Sequence, residues 1–177
     1  MINTFKVLVF LAAISIGMIG CSATQKTTTS PETKSPAPAY PSWYQETAFQ
    51  ADSLSFIGLG EAVASDSMTA IKNAELQARV NLETGVSELV EETRKTLSEN
   101  GNKTVDTPIF LIMLRNASQA IQDEGTVNNK AAVNKEGFFR GYVTVQISRS
   151  DAKATLRNGF DANQRFWQIL DNSTLFD

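Results

Sequence analysis

Glu75, Glu83, Glu88, Glu91 and Glu92 fall within one stretch of helical spacing. Carboxylates set a turn or two apart serve general acid and base chemistry, or hold a divalent cation, when they converge on one point. Glu75 lies between Ile71 and Ala78 on an apolar stripe, which makes it the candidate acid or base, but spacing alone names no partner for it. Glu88, Glu91 and Glu92 precede Arg94 and Lys95 at distances that favour ion pairs along a helix surface, worth a few tenths of a kcal/mol each. Gly58-Leu59-Gly60, at the end of an apolar run, invites comparison with a dinucleotide-binding fingerprint, yet Val63 stands where the third glycine belongs. The two glycines are read instead as a structural turn that also lets a helix approach the sheet. The chain has no histidine and one cysteine, which removes the usual general base, the usual zinc ligand and any intrachain disulfide. No catalytic, cofactor-binding or metal-binding residue is assigned, and the reading is non-enzymatic.

With 16 basic side chains against 19 acidic ones the formal charge is -3, so the phosphate attraction that nucleic-acid binders rely on is missing. A length of 177 residues suits one domain of ordinary size.

The lone cysteine has a specific context. Met1 to Gly20 hold one basic residue, Lys6, followed by the apolar run Val7 to Ile16, too short to cross a hydrocarbon core that needs about 20 apolar residues. Met18-Ile19-Gly20-Cys21 looks like a bacterial lipobox, in which Cys21 becomes the lipidated first residue of the mature protein. A diacylglycerol on its sulfur and a further chain on its amine anchor stably, each buried methylene contributing about 0.8 kcal/mol. Ser22 follows, rather than the aspartate associated with inner-membrane retention, which favours the outer membrane. An ordinary secretory signal cleaved near Ala23 is the alternative. Residues 1–20 are thus read as a lipoprotein signal peptide and residues 21–40 as the lipidated cysteine with a flexible tether. The tether is rich in Ser, Thr, Lys and Pro and carries no large apolar side chain before Tyr40. Residues 41–177 are read as the globular domain, folding from about Trp43 onward.

Within that domain Leu54 to Leu59 reads as a strand that turns at the glycines, and Ser65 and Asp66 as N-caps of a long helix. Met68, Ile71, Ala78, Leu82, Val86, Leu89 and Leu97 recur at three- and four-residue steps along it, with Ala70 and Ala74 widening the stripe. Asn100-Gly101 stops it; Thr107-Pro108 opens a second helix that carries Ile109, Phe110, Ile112, Met113, Ala117 and Ile121 until Gly125. The period then changes to two, giving a hairpin about Lys135-Glu136-Gly137, and Ser148 with Asp151 opens a last helix bearing Leu156, Phe160, Trp167 and Leu170. The predicted order is β-α-α-β-β-α, an α+β domain of two layers in which helices cover a short antiparallel sheet.

On the hairpin's second strand, Phe139, Val143, Val145 and Ile147 share one side. Phe138, Arg140 and Tyr142 share the other, and aromatics flanking an arginine mark a candidate interaction surface, since these types are enriched in interface hot spots. Alternatively Trp43, Phe49 or the C-terminal segment covers them. Leu76 and Val80 lie off the helical stripe and are candidate subunit contacts.

Pro41-Ser42-Trp43, Phe56-Ile57-Gly58-Leu59-Gly60-Glu61-Ala62, and the ladder of Ala70, Ala74, Ala78-Arg79 and Leu82 together resemble the bacterial twenty-kilodalton outer-membrane lipoprotein family, related to the flagellar lipoprotein FlgP and to the N-terminal domain of the flagellar protein FlgT. The resemblance implies a dodecin-like or SHS2-like α+β fold whose sheet edges can join between subunits, and it carries no catalytic residues. The second helix and the C-terminal helix with Trp167, Leu175 and Phe176 have no match in that pattern. The expectation is a non-enzymatic outer-membrane lipoprotein, its domain facing the periplasm. It would act as a structural or assembly component of the envelope, flagella-associated as the resemblance implies, with a second copy or an envelope protein as partner and no nucleic acid. The alternative is a periplasmic module that binds a small ligand or a cell-wall fragment in a pocket between helix and sheet.

Overall fold

The structure, a computed structural model, describes residues 40–173. The signal peptide, Cys21, the tether before Tyr40, and Leu175 and Phe176 lie outside the described residues. The described elements are β1 (Phe49–Ala51), β2 (Ser55–Ala64), α1 (Ser67–Glu99), α2 (Pro108–Glu124), β3 (Thr126–Lys135), β4 (Phe138–Ser148), α3 (Arg149–Asn158) and α4 (Gln164–Asp171), with single 3-10 turns before α2 and α4. All strand pairings are antiparallel, in the order β1-β2-β4-β3. The fold is the α+β, helix-covered antiparallel sheet that the periodicities predict.

Local chemistry sets the boundaries. The Asp66 carboxylate accepts the Thr69 N–H at the start of α1, and Gly101 takes the left-handed conformation just past its end. Thr107 and Pro108 open α2. The β3–β4 hairpin turns through Glu136 and Gly137, both with positive φ, the geometry that matches the twist of the flanking strands. The Ser148 hydroxyl accepts the Asp151 N–H and caps α3.

Three expectations are corrected. A short edge strand, β1, precedes β2, and the single last helix is two, α3 and α4, separated by a 3-10 turn at Asp161–Asn163. The turn read at Gly58 and Gly60 does not exist. Both glycines lie inside β2, which runs straight on to Ala64, and only their close-approach role holds. A Cβ on Gly58 would stand 2.1 Å from the Ala78 carbonyl oxygen, and one on Gly60 2.0 Å from that of Ala74. The sheet therefore touches the backbone of α1, and Ala70, Ala74 and Ala78, all fully buried, form the centre of the helix's inner face rather than its margin.

Met68, placed on that face by period alone, is exposed, because it lies ~200° round the helix from Ala70, which packs on Gly141 of the sheet. Gly85 does not interrupt α1. The Phe49 ring occupies the space where its Cβ would be. The main core lies between the inner sheet face and the helices, with Phe56, Leu82, Val86, Val143, Val145 and Ile147 meeting Phe110, Ile121, Leu156, Phe160 and Trp167. Phe110 packs 5.6 Å from Phe160 and 5.3 Å from Phe166, which fastens α2 to the C-terminal helices.

Candidate interaction surface

The strand register assembles the outer face of the sheet. Val63 stands opposite Arg140, Glu61 opposite Tyr142, and Leu59 opposite Thr144. Across β4, Ala131 on β3 stands opposite Tyr142 and Val133 opposite Arg140. Alternation sends all of these away from the helices, as expected for Phe138, Arg140 and Tyr142.

The three candidates then part company. Tyr142 is a correction: it is 1% exposed, because the segment Tyr40–Tyr44 crosses the sheet and buries it. The Tyr44 ring lies 4.7 Å from that of Tyr142 and the Tyr40 ring 6.3 Å, forming a small second core with Leu59 that Trp43, Ile57 and Val133 flank. Burial, and after it the nearby Glu61 carboxylate, pushes the Tyr44 and Tyr142 phenols above the usual tyrosine range. Of the covers considered from sequence, the segment around Trp43 is therefore the one that reaches this tyrosine, while Phe49 packs on the other face of the sheet.

Arg140 is half-buried and pairs with Glu61 across the strands, so it borders the aromatic cover rather than offering a bare charge. Phe138 is 59% exposed and Val63 54%. Together with Lys135, Glu136, Phe139 and Arg140 they line a groove of about 340 Å3 clear of the Tyr40–Tyr44 strap. The outer face is thus divided into an aromatic half closed by the chain's own N-terminal segment and an apolar end left open.

Leu76 and Val80 lie where the sequence put them, on the outward side of α1, 53% and 43% exposed. A further apolar surface escaped the sequence reading. Ile109 and Ile112, carried by the second predicted helix, are exposed with Leu111 at the start of α2, and only Phe110 and Leu114 of that run are buried. The signal was present. An apolar run unbroken from Pro108 to Leu114 is wider than one face of a helix can bury.

The charged candidates have structural partners. Glu75 accepts from Arg79 at 2.9 Å, and the same guanidinium donates to the carbonyl oxygens of Gln122 at 3.1 Å and Gly125 at 2.8 Å. Glu75 therefore orients an arginine that ties α1 to the C-terminal end of α2, where a cation also meets the negative end of the helix dipole. Glu91 pairs with Arg94, which also reaches Asp106 at 2.6 Å; the Arg94 hydrogen bonds hold the Glu91 carboxyl below the usual range. Asp106 is held low as well, first by the Ser98 hydroxyl at 2.6 Å and then by Arg94. Among the described residues no group of three or more His, Cys, Asp or Glu side chains is arranged to hold a metal ion, and no buried side-chain polar atom lacks a hydrogen-bond partner.

A second groove, of about 520 Å3, lies at the far half of α1. Leu89, Thr93, Leu97 and Asn100 line it together with Ala51, Arg149 and Asn172. Its Arg149 is already engaged, donating to the Asp52 carbonyl oxygen at 2.7 Å and lying over the Phe56 ring. No helix among the described residues is long and apolar enough to cross a membrane. A scan against protein-family models and searches of the curated proteins and of the solved structures return no match for this chain.

Proposed function

We propose that the chain is a non-enzymatic envelope lipoprotein, anchored through Cys21 to the outer membrane, whose domain works by assembling with further copies of itself or with an envelope protein. The observation that carries the assembly half of this reading is the division of the outer sheet face. The strap Tyr40–Tyr44 closes most of it, yet Val63 and Phe138 remain open beside the Glu61–Arg140 pair. Large apolar side chains in a cluster rimmed by charge are the anatomy of a docking site. The anchor half is supported by the short apolar run and the Met18-Ile19-Gly20-Cys21 pattern. Engagement of Glu75 by a structural arginine supports the non-enzymatic reading. A flagellar setting draws only on the family resemblance.

A photo-crosslinking amino acid at position 138 tests the reading in cells, in chains with Cys21 and with Cys21→Ser. The expected result is a discrete adduct in the membrane fraction that disappears with the cysteine. Equal partitioning of both chains contradicts the anchor, and the absence of any adduct contradicts the docking surface.

A small-ligand module is the second reading, favoured by the groove of about 520 Å3, a volume ordinary for ligand sites. It is lined by the last turns of α1 and by Ala51 of β1, past the stretch where Gly58 and Gly60 bring the sheet against Ala74, Ala78 and Leu82. Saturable binding of a cell-wall fragment, lost in Leu97→Trp, is the result that would favour it.

A further inference from the structure

We propose that the occupant of the outward face of α1 is a second copy of this chain, its own α1 packed antiparallel on the first about a two-fold axis level with Ala78. This rests on the self-assembly reading above and gives it a partner and a geometry. Ala78 is fully buried and points at the sheet. At ~100° per residue Leu76 and Val80 lie ~160° and ~200° round the helix from it, straddling the outermost line. Thr69 and Ser87 fall on that same line about two and a half turns to either side, small and uncharged, and suited to close approach of a second backbone.

The charges on the flank are complementary under a two-fold rotation. Lys72 and Glu83 lie ~120° and ~140° round from Ala78, on the same side of the ridge, ~9 Å before and ~7.5 Å after its level at ~1.5 Å per residue. A two-fold axis reverses the direction of the helix but keeps each flank on its own side. Lys72 of one copy then comes level with Glu83 of the second copy, and Leu76 with Val80 of the second copy. Each pairing occurs twice, as an isologous contact requires. Lys72 is exposed, and among the described residues Glu83 accepts only from Ser87 one turn away, so both are available to a neighbour. An unrelated partner would have no reason to match this strip against its own reverse.

Sedimentation equilibrium tests the pairing, with the chain from position 21 onward carrying Cys21→Ser as the reference. Leu76→Asp, Lys72→Glu and Glu83→Lys are each expected to weaken association roughly tenfold or more, and the double variant Lys72→Glu/Glu83→Lys to restore it. Far-ultraviolet circular dichroism should be unchanged throughout, because Lys72 and Leu76 face solvent and Glu83 is only half-buried. Unchanged association in the single variants, or no recovery in the double, overturns the α1 pairing while self-assembly stands. A monomer at every concentration overturns both.

Discussion

Replacing Gly58 by alanine adds one methyl group in the middle of a strand, where alanine on propensity alone should gain about 0.5 to 1 kcal/mol over glycine. The structure predicts the opposite sign. The new Cβ would lie 2.1 Å from the Ala78 carbonyl oxygen, 2.6 Å from the Leu82 nitrogen and 2.7 Å from the Leu82 Cβ. Two of these are backbone atoms that cannot rotate away, so α1 must retreat by ~1 Å along its contact with β2, loosening the fully buried Ala78 and Leu82 with it. Overpacking of this kind costs about 1 to 3 kcal/mol, and a rigid backbone neighbour puts the net loss at ~2 to 3 kcal/mol. For a domain of this size that lowers Tm by roughly 6 to 15 °C. Gly101→Ala is the control: nothing lies within 4 Å of its Cβ, and only its positive φ opposes the change, at a cost of about 1 kcal/mol. Thermal melts followed at 222 nm compare the two. A Gly58→Ala protein that melts at or above the parent refutes the claim that helix and sheet meet backbone to backbone.

Tyr142→Ala should unfold the outer-face cluster and lower stability by about 3 kcal/mol, read by urea denaturation, because a fully buried aromatic ring is removed. Phe138→Ser should leave stability within about 0.5 kcal/mol and diminish only partner capture. Acid should destabilise the fold through Asp52, held low by the Leu54 and Ser55 N–H groups, Asp66, held low by the Thr69 N–H, and Glu91 and Asp106. Their contribution is complete above the ordinary carboxylate range near pH 4 and is lost as pH falls through the lowered native values, so urea midpoints should decline from about pH 4 downward. At the alkaline end the raised phenols of Tyr44 and Tyr142 act in the other direction. Folding holds their protons, so stability should decline as pH rises past about 10, where the unfolded phenols ionise, with part of the phenolate absorbance appearing only on unfolding.

The helices were legible because their signals are local. Asp66 and Ser148 with Asp151 cap their helices through hydrogen bonds to neighbours a few residues away, Gly101 ends α1 through its left-handed backbone, and Pro108 opens α2 through its fixed φ. The hairpin was legible for the same reason, through Glu136-Gly137 and strict alternation on β4. What could not be read depends on contacts remote in sequence. Whether Gly58 and Gly60 turn the chain or admit a helix is decided by Ala74, Ala78 and Leu82. The fate of Tyr142 is decided by Tyr40 and Tyr44, about a hundred residues upstream, and alternation reports only which face a side chain takes, not what covers it. The exposure of Ile109 and Ile112 is not legible in the sequence, because hydropathy does not distinguish a wide apolar face with a partner from one without. Leu76 and Val80 were placed correctly because their angular distance from the alanine ladder is a property of the helix itself.

The most direct test of the assembly claim is the mass in solution of the chain from position 21 onward carrying Cys21→Ser, by static light scattering across a wide concentration range. The account predicts a discrete mass above that of one chain, reached reversibly as concentration rises. A single-chain mass at every concentration would contradict self-assembly.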